Sequence, residues 1–273
     1  MPINSLGLVD DVIGVTEAGF KAQQLNTILN VKTSEKCLQY GVKKCKSMLV
    51  GKNCDNVINN ELLVDSWSEE YVQNKETGET ELVEQYLGEV PIGQVKEYKY
   101  LGFVISCQGN NMANINAFKK KSIGVIRSIM QKLDALKLQT YYFECALIFM
   151  NVMLRGSILY ASETYYNLTE SQLRNIERIE EGYLRQILNT TRGSPIIQLY
   201  LETGQFPARF QIKKSRLLFL KCILEEDQES RTYRFFQVQQ QNPTNGDWVS
   251  ECKKDLTELE IDETFEEIRK MSI

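Results

Sequence analysis

Residues 6–15 read LGLVDDVIGV, two apolar runs parted by Asp10 and Asp11. Apolar and β-branched residues on either side of an Asp pair predict a strand, a tight turn and a second strand. Adjacent carboxylates repel and resist desolvation, so the pair suits a turn that exposes it or a cation that neutralises it. Outward from this hairpin, Thr16 and Glu17 open a helix that carries Phe20, Leu25, Ile28, Leu29 and Leu38 to about Tyr40, with Gly41 as a left-handed stop. Residues 42–50, VKKCKSMLV, read as a strand with lysines in its first half. Residues 57–65 and 69–86 read as a polar β excursion turning at Thr77-Gly78. Residues 97–106, EYKYLGFVIS, alternate aromatic and β-branched side chains and give the strongest strand signal in the chain.

Beyond Asn111 the period changes from two to 3.6. Ile115, Phe118, Ile123, Ile126, Ile129 and Leu133 mark one helical face, and Lys119, Lys120, Lys121, Arg127 and Lys132 occupy the others. Further helices are predicted at about 140–160, at 170–189 with Thr169 as its cap, and at 206–225, 230–241 and 254–270. Strands followed by helices predict an α+β fold whose boundary lies near residue 111.

Composition narrows the chemistry. The 273 residues are 42% hydrophobic and 25% charged, enough for one ordinary core or two small ones. There is no histidine, which excludes Ser-His-Asp and Cys-His catalysis and His-ligated zinc within the chain. Seven cysteines at 37, 45, 54, 107, 145, 222 and 252 form no CxxC pair, and no secretory leader is evident. They read as buried structural thiols in a reducing compartment, so an intracellular protein, nuclear or cytoplasmic and not secreted, is expected. Cys37, Cys45 and Cys54 have only loosely metal-like spacing. The apolar run 145–154 is too short and interrupted to span a bilayer, so no membrane partner is expected.

The net charge of −4 conceals segregation: residues 61–89 carry −8 and residues 223–273 carry −7, which leaves +11 on the rest. That positive charge clusters at 32–52, 119–137 and 209–221, as for a polyanion partner or for solvated helix faces. Two further groups carry alternatives. Tyr141, Tyr142, Phe143, Tyr165 and Tyr166 suit base stacking or a core. Glu177, Glu180 and Glu181 suit a carboxylate cluster or, as the simpler reading, a solvated face paired with Arg174, Arg178 or Arg185. Trp67 and Trp248 read as packing residues.

The order VDDV (9–12), helix, GVKKCKSMLVG (41–51), YKYLGFVIS (98–106), basic helix and LYASETYYNLTESQLRNIERIEEGYLRQIL (159–188) resembles the reverse transcriptases of non-LTR (LINE-like) retrotransposons over about residues 5–225. The resemblance implies a partial polymerase palm of short antiparallel strands plus a helix at 1–110, with an acidic β insertion at about 57–90. It implies a thumb-like helical bundle at 111–190 and a C-terminal helical extension at 191–273. Asp10 and Asp11 would be catalytic ligands of two Mg²⁺ ions, with Asp10 the direct one. Lys44 or Lys46 would lie near the incoming deoxynucleotide triphosphate, and Tyr100, Leu101 and Gly102 would grip the primer end. Lys119, Lys120, Lys121 and Arg127 would track the backbone of an RNA template and DNA primer duplex.

The family's palm also uses an aspartate on an earlier strand, and only nine residues precede Asp10. The expectation is therefore a fragment of an RNA-directed DNA polymerase that is inactive alone, using deoxynucleotides only if the palm is completed. The alternative is a retroelement-derived helical module that binds nucleic acid or protein without chemistry.

Overall fold

The computed structural model describes residues 5–8, 11–15, 19–35, 44–50, 63–73, 80–109, 111–136, 141–244, 246–261, 264–265 and 267–268. The fold is α+β and mostly helical, and it divides into two compact units, 1–110 and 111–273.

In the first unit, β1 (Ser5–Leu8) pairs antiparallel with β2 (Asp11–Gly14), with Leu8 opposite Asp11. The apolar runs on either side of the aspartates thus become the two arms of a hairpin. Helix α1 (Gly19–Glu35) follows, and the predicted extension to Tyr40 lies outside the described residues. β3 (Leu63–Gln73) and β4 (Thr80–Pro91) form one long ribbon with a register shift at Ser66/Trp67. The predicted β excursion at 57–65 and 69–86 is thus a two-stranded ribbon shifted toward the C-terminus, and its predicted turn at Thr77-Gly78 lies outside the described residues. Its start is tied to α1: Gln23 Oε1 accepts from Leu63 N at 3.1 Å, and Asn26 Nδ2 donates to Leu63 O.

Residues 44–50 do not form the predicted strand. Only Ser47 makes a ladder contact, a parallel bridge to Gln94 with hydrogen bonds Ser47 N to Gly93 O (3.1 Å) and Val95 N to Ser47 O (2.8 Å). The lysines in this segment offer no alternating apolar face to hold it in a sheet. β5 (Glu97–Tyr100) and β6 (Phe103–Ser106) complete the unit as a second tight hairpin.

The second unit starts with α2 (Met112–Leu136), whose Ile115, Phe118, Ile129 and Leu133 are buried. Ile123, expected on the same face, is 62% exposed, because the buried arc is narrower than the apolar pattern. α3 (Tyr142–Phe149) runs into a π-helical segment, Met150–Arg155, and a closing turn α4 (Gly156–Ile158). α5 (Glu170–Ile187) opens on a capping box: Thr169 Oγ1 accepts from Gln172 N, while Thr169 N donates to Gln172 Oε1 at 2.9 Å. It closes at Asn189, φ 50°, with Thr190 N bonded to Arg185 O and Asn189 N to Gln186 O, the paired bonds of a Schellman turn.

α6 (Ile196–Thr203) was not predicted; it is eight residues long and Gly204 caps it. α7 (Ala208–Glu225), α8 (Arg231–Gln241) and α9 (Trp248–Glu258) follow; α9 starts before the predicted span of 254–270 and ends within it, and residues 265, 267 and 268 of that span are also helical. Asp247 starts α9, accepting from Ser250 N at 2.7 Å. Ile115, Leu133, Met150, Leu154, Tyr165, Tyr183, Leu184 and Ile212 are buried in the second unit. One core cluster joins Leu220, Ile223 and Leu224 of α7 to Tyr233, Phe236, Val249, Cys252 and Phe265.

Tyr165 is fully buried as a core residue, whereas Tyr141 is 62% exposed. Trp248 packs edge-on against Phe219 at 5.7 Å and donates Nε1–H to Glu163 O. Cys107 and Cys252 are buried and Cys222 is exposed, so the thiols are not uniformly interior. Among the described residues no helix is long and apolar enough to cross a membrane.

Candidate nucleic-acid interface

The first unit brings together two of the sequence blocks singled out above. β5 and β6 are joined by Leu101 at φ 47° and Gly102 at φ 88°, with Tyr100 paired to Phe103. Two successive positive φ values define the type I′ turn that matches the twist of a two-residue hairpin. Gly102 takes its conformation freely, but Leu101 is held in the left-handed region at a cost of about 1–2 kcal/mol, and it presents a 41% exposed side chain. The lysine segment lies alongside this hairpin: Tyr98 Oη donates to Lys44 O at 3.2 Å, and the bridge at Ser47 fixes the following residues. Lys44 and Lys46 are both exposed. Between them, burial pushes the Cys45 thiol up and Lys46 partly opposes it.

Asp11 is the first residue of β2, while Asp10, Cys37 and Cys54 lie outside the described residues. Among the described residues no three acidic or cysteine side chains stand close enough to hold a metal ion.

In the second unit, Lys119, Lys120, Lys121, Arg127 and Lys132 of α2 are all exposed. Among the described residues no carboxylate lies within ion-pair distance of any of them. α7 is the opposite case. Its Arg209 grips Glu177 through Nε at 2.5 Å and Nη2 at 3.1 Å, and also reaches Glu170. Lys213 pairs with Glu258, and Arg216, 3% exposed, meets Asp255 at 2.8 Å. The basic cluster at 209–221 is largely consumed by α5 and by the acidic C-terminal segment, whereas the one on α2 is left to solvent.

The three glutamates of α5 correct the sequence reading. Glu177, Glu180 and Glu181 are 2%, 0% and 4% exposed, and no solvated face is formed. Arg174 binds Glu177 and Glu181 at 2.9 and 3.0 Å, and Arg185 lies 3.7 Å from Glu181. Arg155, from the π segment, donates Nε–H to Glu180 Oε1 at 2.8 Å and also binds Asn151, Gln205 and the Phe206 carbonyl. Burial pushes the Glu180 carboxyl up against the opposing pull of Arg155. Burial also pushes Glu177 up, but the hydrogen bonds and charges of Arg209 and Arg174 outweigh it and leave that carboxyl below its ordinary range. Arg155 escaped sequence reasoning because an arginine between Leu and Gly carries no signal of burial.

Comparison with protein-family models, with curated proteins and with solved structures finds no match to this chain.

Proposed function

We propose that the chain holds a template–primer duplex as the palm and thumb part of a retroelement-type reverse transcriptase, with the outer face of α2 as its phosphate contact. The carrying observation is the contrast between α7, whose Arg209 and Arg216 are taken by buried carboxylates, and α2, whose five cations have no carboxylate partner among the described residues. Leaving Lys and Arg unpaired on one rigid helix raises the local positive potential and favours counterion release on a polyanion. The I′ turn at Leu101-Gly102, beside the Lys44–Lys46 segment, supports the primer-gripping role of the Tyr100-Leu101-Gly102 block. In this reading Asp10 and Asp11 would hold Mg²⁺, which would supply Lewis-acid chemistry for nucleotidyl transfer. The incoming deoxynucleotide lies near Lys44 or Lys46.

The test is binding of an RNA–DNA hybrid duplex as a function of salt. Changing Lys119, Lys120 and Lys121 together to Ala removes up to three phosphate contacts, so the slope of log affinity against log salt falls by roughly 2–3. An unchanged slope assigns the lysines to solvent. A non-catalytic binding module gives the same binding result. Primer extension by a chain with a completed palm, lost in Asp10→Ala/Asp11→Ala, separates the two.

A further inference from the structure

The outer face of α5 has a use that its inner face does not explain. The inward positions are filled by Ile176, Tyr183, Leu184 and Ile187 and by the three buried glutamates, and Arg174 and Arg185 are bound to those glutamates. Apart from Glu170, which pairs with Arg209, what remains exposed along the helix is Ser171, Arg178, Gly182 and Gln186. At 100° per residue these lie within one stripe, with half-buried Asn175 among them. The stripe holds no carboxylate. Arg178, unlike the neighbouring arginines, has no ion pair or hydrogen-bond partner among the described residues. Just past the Schellman turn, Thr190, Thr191 and Arg192 are exposed, and Arg192 is unpaired in the same sense.

Gly182 is the anomaly. An interior glycine weakens a helix relative to alanine, and a Cβ built there meets no heavy atom within 4 Å, so no neighbour within the fold requires its absence. The backbone at Gly182 is bare, one turn from a free guanidinium and one turn from a side-chain amide. α2 repeats the arrangement, with Gly124 equally open between Lys120 and Arg127. A phosphate–sugar backbone approaching a helix flank needs these features: a gap for close approach, cations beside it, and Asn, Gln or Ser donors without competing carboxylates.

We infer that the α5 stripe Arg178, Gly182 and Gln186, continued by Arg192, is a second contact for the phosphate backbone of a nucleic-acid duplex. It extends the proposed function by adding a helix face to the same ligand class, and it stands on residues independent of the α2 lysines.

The test measures thermal midpoint and hybrid-duplex affinity on the same variants of the full chain. Gly182→Ala raises the midpoint, since helix propensity improves, yet weakens binding severalfold; Gly182→Leu weakens it further. Arg178→Ala/Arg192→Ala lowers the salt slope by roughly 2. Glycine variants that raise the midpoint at unchanged affinity, together with an unchanged slope in the arginine pair, overturn the inference. If the α2 triple variant alone changes the slope, the proposed function stands and the α5 contact falls. If only the α5 variants do, the α5 contact stands and the α2 reading falls. A wild-type chain that does not bind the hybrid overturns both.

Discussion

Replacing Glu180 by Ala removes the one charged partner that Arg155, a buried arginine, has among the described residues. The Arg155 side chain is 9% exposed, and three neutral acceptors remain to it: Asn151 Oδ1 at 2.9 Å, Gln205 Oε1 at 2.7 Å and Phe206 O at 2.6 Å. Breaking a buried pair from one side costs about 3–5 kcal/mol, most of it the uncompensated charge left behind. The surviving acceptors place Glu180→Ala near the lower end, about 3–4 kcal/mol. Glu180→Gln keeps an oxygen for Arg155 Nε. It converts the second carboxylate oxygen, buried without a hydrogen-bond partner, into an unpaired amide donor, at a cost of about 1–2 kcal/mol. At about 2–4 °C per kcal/mol for a unit of this size, the Ala variant lowers the midpoint of the second unit by roughly 10 °C and the Gln variant by a few degrees. Urea and thermal unfolding, followed by far-ultraviolet circular dichroism, measure both. Two variants within 1 kcal/mol of wild type, or a Gln variant as damaged as the Ala one, would refute the assignment of Glu180 as the countercharge of Arg155.

Glu177, held below its ordinary range by Arg209 and Arg174 despite burial, contributes stability that is complete above its unfolded-state value of about 4.3 and is lost as pH falls through its lower folded value. The stability gap between wild type and Glu177→Gln is therefore flat at neutral pH and closes on the acid side in a urea series; a gap that widens as pH falls contradicts this. Leu101→Gly relieves the left-handed strain at φ 47° and stabilises the β5–β6 hairpin by about 1 kcal/mol. Gly102→Ala, at φ 88°, destabilises it by about as much. Amide exchange across residues 97–106 reads both, and equal protection in the two variants counts against the I′ turn.

The elements that were legible in the sequence are those with a local cause. The hairpin at 5–14 follows from apolar runs parted by turn formers, and the start of α5 from Thr169 and Gln172. The α2 core face follows from its period, apart from Ile123, whose exposure depends on how wide an arc its neighbours cover. What escaped was set by distant partners. Residues 42–50 read as a strand because the segment ends in Met-Leu-Val, yet among its described residues only Ser47 has a ladder partner. The glutamates at 177, 180 and 181 look like a solvated face because their spacing from Arg174 and Arg185 suits surface pairs. Their burial depends on Arg155 and Arg209, which lie 25 and 32 residues away from Glu180 and Glu177. The basic cluster at 209–221 misled for the same reason, since its neutralising carboxylates come from α5 and α9.

Lysine-reactivity footprinting tests the central claim most directly, because it reports on each exposed amine separately. In the free chain Lys119, Lys120, Lys121 and Lys132 of α2 and Lys253 and Lys254 of α9 are all exposed. With a saturating RNA–DNA hybrid at low salt, the α2 lysines lose reactivity toward an acylating reagent and recover it as salt is raised, while Lys253 and Lys254 stay reactive throughout. Reactivity at Lys119, Lys120 and Lys121 that does not change when the duplex is bound contradicts the assignment of α2 as the phosphate contact.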